Sequence, residues 1–237
     1  MTGDPMPNAF VPGAGNLAPA EAAMVERRQR LLGPAYRLFY ETPVHLVRGE
    51  GVWLYDPAGN AYLDTYNNVA SVGHCHPHVI AATARQAAEL ATHTRYLHDG
   101  VLDYAERLLK HFPPELCHLM FTCTGSEAND LALRLARAAT GGTGVIVTEN
   151  AYHGVTAAVA EFSPSLGAGV ALGAHVRTVP PPDAALGDPA VRFTADVQAA
   201  IDDLIRHGIK PAVLIVDEDT FPVADAVMAL LLKQLKK

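Results

Sequence analysis

Four short apolar stretches, each of strand length and three of them separated by helical patterns or loops, constrain this chain more than anything else in it. They are Leu119 to Thr122, Gly144 to Thr148, Val176 to Val179 and Ala212 to Val216, with helical periodicity at Ala128 to Ala139 and Val197 to His207. A strand that is apolar throughout, rather than at alternate positions, is buried on both faces, and helices in the connections are what bury it. The pattern predicts an α/β fold: a mainly parallel sheet with helices on both faces, whose ligands gather at the carboxyl ends of the strands.

The chain before these stretches is organised differently. Residues 1–37 read as a Pro/Gly-rich arm followed by a helix over Ala20 to Leu32 that stops at Gly33-Pro34. Residues 38–75 read as an antiparallel unit, with strands at Val44 to Arg48, Val52 to Tyr55 and Ala61 to Asp64, the last two joined by the turn-forming run Asp56-Pro57-Ala58-Gly59-Asn60. From His76 the period becomes helical, first through Ile80, Ala84, Ala87, Ala88 and Ala91, then through Val101, Ala105, Leu108 and Phe112. Residues 76–220 are expected to form the main, sheet-bearing part, and 221–237 a separate terminal helix with Val223, Ala226, Val227, Leu230 and Leu231 on one stripe.

Composition narrows the class of protein. Of 237 residues, 49% are hydrophobic and 18% charged, which is incompatible with a disordered chain. Eighteen basic against 25 acidic residues give a formal charge of -7, so nucleic acid is not an expected partner. The apolar run Val227 to Leu232 is far shorter than the roughly 20 residues of a bilayer span, so no membrane partner is expected. The start lacks a secretory pattern and the three cysteines (Cys75, Cys117, Cys123) form no paired framework; a reduced, cytoplasmic protein is expected, its thiols packing as small hydrophobes.

Two segments carry the chemistry. In Leu119-Met120-Phe121-Thr122-Cys123-Thr124-Gly125-Ser126-Glu127-Ala128-Asn129 a strand enters a turn of small residues and then a helix. Free backbone N–H groups and the positive end of the dipole make such a helix start attractive to a phosphate, and Gly125 permits close approach. A plain capping box between Thr124 and Glu127 accounts for the same residues. In Thr148-Glu149-Asn150-Ala151-Tyr152-His153-Gly154, placed after the next strand and thus at the same sheet end, Tyr152 could stack on a flat ring, His153 could hydrogen-bond or move protons, and Gly154 relieves crowding. Taken alone, a Tyr-His pair is more often packing than catalysis. A metal site from His74, Cys75, His76 and His78, with His93 and His98 downstream, is disfavoured, because Pro77 starts a helix that turns His78 away. No metal is expected.

With Gly51-Val52-Trp53-Leu54-Tyr55-Asp56 and Gly73-His74-Cys75-His76-Pro77, these segments resemble the class III pyridoxal-phosphate-dependent aminotransferases over about Leu38 to Val216. The wording Asn67-Asn68-Val69-Ala70-Ser71-Val72-Gly73-His74, Arg95-Tyr96-Leu97-His98-Asp99 and Gly125-Ser126-Glu127-Ala128-Asn129-Asp130-Leu131-Ala132 is most similar to the branch of ethanolamine-phosphate phospho-lyases and alanine-glyoxylate-type aminotransferases. The resemblance implies a fold type I large domain and pyridoxal 5'-phosphate as cofactor, its phosphate held by Gly125 and Ser126, its ring under Tyr152, with His153 beside them. It also implies a homodimer in which Ser71 to His74 approach the partner's pocket, and small-molecule partners: an amino acid or amine as donor and a 2-oxo acid or aldehyde as acceptor.

The family also uses a lysine that carries the cofactor and an acid paired with the ring nitrogen. None of the five lysines, Lys110, Lys210, Lys233, Lys236 and Lys237, lies in the family's lysine motif, and Lys110 and Lys210 read as solvated surface charges. Asp217-Glu218-Asp219 superficially resembles the acid-bearing strand end, but its distance from Tyr152 matches an earlier strand. The catalytic residues are therefore left unknown, and the chain is expected to be a truncated form whose activity by itself is uncertain. Amino-group transfer is the leading expectation. Phosphate elimination from a phosphorylated amino alcohol or amino acid, and a non-catalytic cofactor-binding or dimerisation fragment, are the alternatives.

Overall fold

A computed structural model describes residues 9–13, 17–34, 36–66 and 71–217. They fall into two compact units divided between Cys117 and His118. In the first unit, α1 (Pro19–Leu32) precedes three short strands, β1 (Arg48–Glu50), β2 (Trp53–Tyr55) and β3 (Ala61–Leu63), and two helices, α2 (Pro77–Glu89) and α3 (Asp99–Leu109). The strands form an antiparallel meander in the order β1-β2-β3, with Glu50 opposite Trp53 and Tyr55 opposite Ala61. The Asp56–Asn60 turn closes through the Asp56 carboxylate, which accepts from the backbone N–H and side-chain amide of Asn60, each at 2.9 Å.

The expected strand at Val44 to Arg48 is displaced: of its residues only Arg48 belongs to β1, which runs on to Glu50. The sheet is limited by its partner, since β2 offers only three residues to pair. A bridge between Gly51 and His74 ties the meander to the turn before α2, and His74 Nε2 lies 2.6 Å from Asp64 Oδ2. Pro77 occupies the first turn of α2, where its missing N–H costs nothing.

The second unit holds α4 (Gly125–Thr140), β4 (Gly144–Thr148), α5 (Ala157–Ala160), β5 (Val176–Val179), α6 (Pro189–Arg206) and β6 (Pro211–Ile215). Its sheet is parallel, in the order β5-β4-β6, with Val147 level with Thr178 on one side and Ile215 on the other. Every residue of the central strand β4 is buried. Ile146 faces a cluster with Val179 and with Phe193, Val197, Ala200 and Leu204 of α6, whereas Val145 and Val147 face Leu133 of α4, Val159 of α5, Phe162 and Val176. Both faces of the sheet are covered, as the apolar runs require. Gly144 is needed where β4 starts, because a Cβ there would sit 2.9 Å from Leu204 Cδ1 and 3.2 Å from the Lys210 carbonyl oxygen.

Several expectations need correction. Leu119 to Thr122 is not a strand. A strand exists only with a ladder partner, and none of the described strands pairs with this segment. Helix α6 begins at Pro189, well before the apolar periodicity at Val197, because Asp188 caps it by accepting from the N–H groups of Ala190 and Val191. All three cysteines are exposed, so they do not pack as small hydrophobes. Lys210 is exposed, yet its ammonium donates to the Thr140 carbonyl at 2.6 Å, where positive charge suits the end of α4. The helix expected at Pro222 to Lys237, and Glu218 and Asp219, lie outside the described residues. Among the described residues no helix is long and apolar enough to cross a membrane.

Fully buried side chains are confined to the second unit: among the described residues the hydrophobic core runs from Leu133 to Leu204. Leu204, without exposed surface, closes the α6 side of β4. Leu204→Ala is expected to lower stability by about 2–5 kcal/mol, read as a lower urea midpoint at unchanged slope; an unchanged midpoint would contradict this packing.

Candidate functional site

The site is built where α4 begins and β4 ends, within the second unit. Thr124 caps α4 by accepting from the Glu127 N–H at 3.1 Å. The Glu127 carboxylate accepts from the Cys123 N–H at 2.8 Å, one residue beyond the cap's own N–H that a full capping box would use. This cap uses one donor of the first turn. The N–H groups of Gly125 and Ser126 precede the first intrahelical donors and have no acceptor among the described residues. Capping and anion binding are thus compatible here, since different N–H groups serve each.

Beyond β4, Asn150 turns the chain with φ 63°, a left-handed conformation that asparagine tolerates. The next residues form a tight turn at the carboxyl end of the sheet. The Tyr152 N–H donates to Asp217 Oδ2 at 2.9 Å, just after β6. The His153 N–H donates to Ser163 Oγ at 3.2 Å, and the His153 carbonyl accepts from the Asn129 side-chain amide at 2.7 Å. The Val155 N–H donates to Ser126 Oγ at 3.1 Å. Ser163 Oγ is also 3.0 Å from the carbonyl oxygens of Gly154 and Val159, and its one proton serves either.

Gly154 sits directly against Ser126. Its φ is +132°, and a Cβ there would lie 2.7 Å from Ser126 Cα and 2.8 Å from Ser126 Cβ. Only glycine allows the turn to come this close to the helix start. Gly125, Ser126, Tyr152 and His153, singled out from the sequence, are therefore brought together, although the segment leading into Thr124 is not a strand.

The two aromatic rings of the turn have opposite surroundings. Tyr152 is about half exposed, at 55%, and available to a ligand. His153 is buried, its ring 5.8 Å from that of Phe162, and its Nε2 has no partner among the described residues. Burial pushes the imidazole below its usual range, with the Asp217 charge pulling partly the other way.

Three contributors were not assigned these roles from the sequence. Asn129 lies three residues after Ser126, a spacing that places both on one helix face and could have drawn notice. Ser163 carries no local signal. Asp217, considered as a ring-nitrogen acid, instead accepts from a backbone N–H. Arg177 pairs with Asp203 at 2.6 Å. Among the described residues no group of three His, Cys, Asp or Glu is placed to hold a metal ion.

The chain is 44% identical over 163 residues to an alanine-glyoxylate aminotransferase 2-like protein of Drosophila melanogaster, covering 67% of this chain and 33% of that one. It is 40% identical over 142 residues to ethanolamine-phosphate phospho-lyase homolog 1 of Caenorhabditis elegans, covering 60% and 30%. A phospholyase from Arthrobacter, solved in complex with phosphoethanolamine, superposes with a TM-score of 0.82 at 40% identity, over 90% of this chain and 53% of that one. The chain thus spans about a third of these curated relatives and about half of the solved structure. The model of the aminotransferase class-III family matches residues 38–205, and the chain belongs to that family.

Proposed function

We propose that this chain supplies the phosphate- and ring-holding part of a pyridoxal-phosphate-dependent class III aminotransferase, which moves an amino group from an amino acid or amine to a 2-oxo acid or aldehyde. The observation that carries this reading is the packing of Gly154 on Ser126, which sets a half-exposed tyrosine beside two N–H groups without acceptors. The residues fit the cofactor's phosphate and ring. Gly125 and Ser126 would bind the phosphate through N–H groups at the positive end of α4, and the Ser126 hydroxyl, already accepting from Val155, keeps its proton to donate. Tyr152 would cover the ring. Pyridoxal phosphate, when bound, supplies the electron sink that loosens bonds at an amino-bearing carbon.

The proposal concerns holding the cofactor, not turnover by this chain alone. Lys210 is engaged at the end of α4, about 22 Å of helix from Gly125, and Lys110 ends α3 with its charge in solvent. Phosphate elimination from a phosphorylated amino alcohol is the second reading, favoured by the 40% identity to the Arthrobacter phospholyase. A homodimer is part of the proposal: the first unit leaves Tyr96, Leu97, Leu102 and Tyr104 exposed, surface of the kind that association buries. The three exposed cysteines suit a reducing, cytoplasmic location.

Titration with pyridoxal 5'-phosphate tests the placement. Tyr152→Ala is expected to weaken binding by roughly two- to tenfold through lost ring contact, and Ser126→Pro to abolish it by removing one N–H and the acceptor of Val155; unchanged affinities in both would refute the reading.

The buried imidazole adds a pH dependence. Because the folded chain holds His153 below its unfolded range, the unfolded chain binds the proton first. Stability is therefore full above the ordinary histidine pKa of about 6.5 and falls as pH drops through the lowered folded value. Replacing His153 by Gln is expected to flatten this acid-side loss in urea midpoints measured from pH 8 to pH 5; an equal slope in variant and parent would count against it.

A further inference from the structure

No backbone group of Tyr152, His153, Gly154 or Val155 bonds to another backbone group among the described residues. Their hydrogen bonds go to four side chains: Asp217, Ser163, Ser126 and Asn129. A turn without ladder or helix bonds takes its position from whatever holds it. Asp217, Ser163 and Ser126 accept from the N–H groups of Tyr152, His153 and Val155, and the bonds of Tyr152 and Val155 are exposed, so water could equally serve those two groups. Asn129 is different: its side-chain amide donates at 2.7 Å, partly buried, to one carbonyl, whereas the single Ser163 hydroxyl proton is divided between the Gly154 and Val159 carbonyls, and Asn129 stands on the helix whose first two N–H groups have no acceptor among the described residues. We propose that Asn129 is a positioning residue, its side-chain amide setting the turn that carries Tyr152 at a fixed height above the Gly125–Ser126 N–H pair.

The chemistry follows from spacing. A ligand with a phosphate ester and a flat ring must meet both the helix start and the tyrosine face, so its affinity depends on the separation of the two. A free phosphate meets only the helix start. Asn129 touches neither partner: Ser126 is three residues earlier on its helix, and Tyr152 precedes the carbonyl that Asn129 holds. Its loss therefore penalises the two-point ligand and spares the one-point ligand, a split that a merely structural role would not produce. This inference rests on the cofactor-holding reading above.

The test uses the full 237-residue chain and two probes followed by phosphorus NMR: inorganic phosphate, and pyridoxine 5'-phosphate, which has no aldehyde and so does not couple to surface lysines. Asn129→Ala is expected to weaken pyridoxine 5'-phosphate about tenfold while changing inorganic phosphate less than about twofold. Asn129→Gln, which keeps the donor on a longer stem, is expected to recover part of the loss. Equal losses for both probes in Asn129→Ala, or no loss for the first, would overturn the positioning role while leaving the phosphate site standing. Should Asn129→Ala lose its thermal transition, Asn129→Gln decides: parent-like discrimination between the probes supports the role and none overturns it. A parent chain that binds neither probe overturns the cofactor-holding reading itself, and this inference with it.

Discussion

The burial of β4 on both faces is the constraint on which the second unit depends. Val145 and Val147 need one apolar cover and Ile146 needs another, so the chain must pass α4 and α5 on one side and α6 on the other. Parallel pairing with β5 and β6 follows, because each connection carries a helix and returns to the same end of the sheet. The carboxyl end of β4 is thereby set next to the start of α4. The geometry of this end is a result of packing at the centre of the sheet, and the turn that bears Tyr152 follows directly from the end of β4 at Thr148.

Two kinds of polar group meet at that end, and their treatment differs. Backbone groups of the turn are satisfied by side chains from α4, from Ser163 and from Asp217, which makes the loop well defined without regular structure. Thr148 Oγ1 and His153 Nε2, by contrast, are buried with no partner among the described residues. Buried polar atoms in native proteins are nearly always paired, so these two mark the part of the site where protein or ligand groups have the most to gain.

The first unit depends on different physics. Its meander is three residues wide, its helices bury no residue completely, and large apolar side chains such as Leu97 face outward. Such a surface is costly in water and favours cover by further protein.

Local rules made much of this legible in advance. The runs of β4, β5 and β6 were visible because burial keeps them rich in Val and Ile, with Arg177 and Thr178 of β5 the less buried interruption, and the turn at Thr124 to Ser126 was visible because a capping threonine is followed by small residues. The strand assigned to Leu119 to Thr122 failed for a reason no local window contains: pairing is a property of two segments. The start of α6 lay hidden behind polar residues because Asp188, not hydrophobicity, sets it. What the sequence determined alone is the strand character of β4, β5 and β6, the glycine that permits contact at 154 and the family; these reside in side-chain type and spacing. Which groups face each other was decided only by the tertiary structure. Asn129 and His153 are 24 residues apart, and Tyr152 and Asp217 are 65 apart, and such hydrogen bonds depend on directions that exist only after the sheet has brought distant segments to one end.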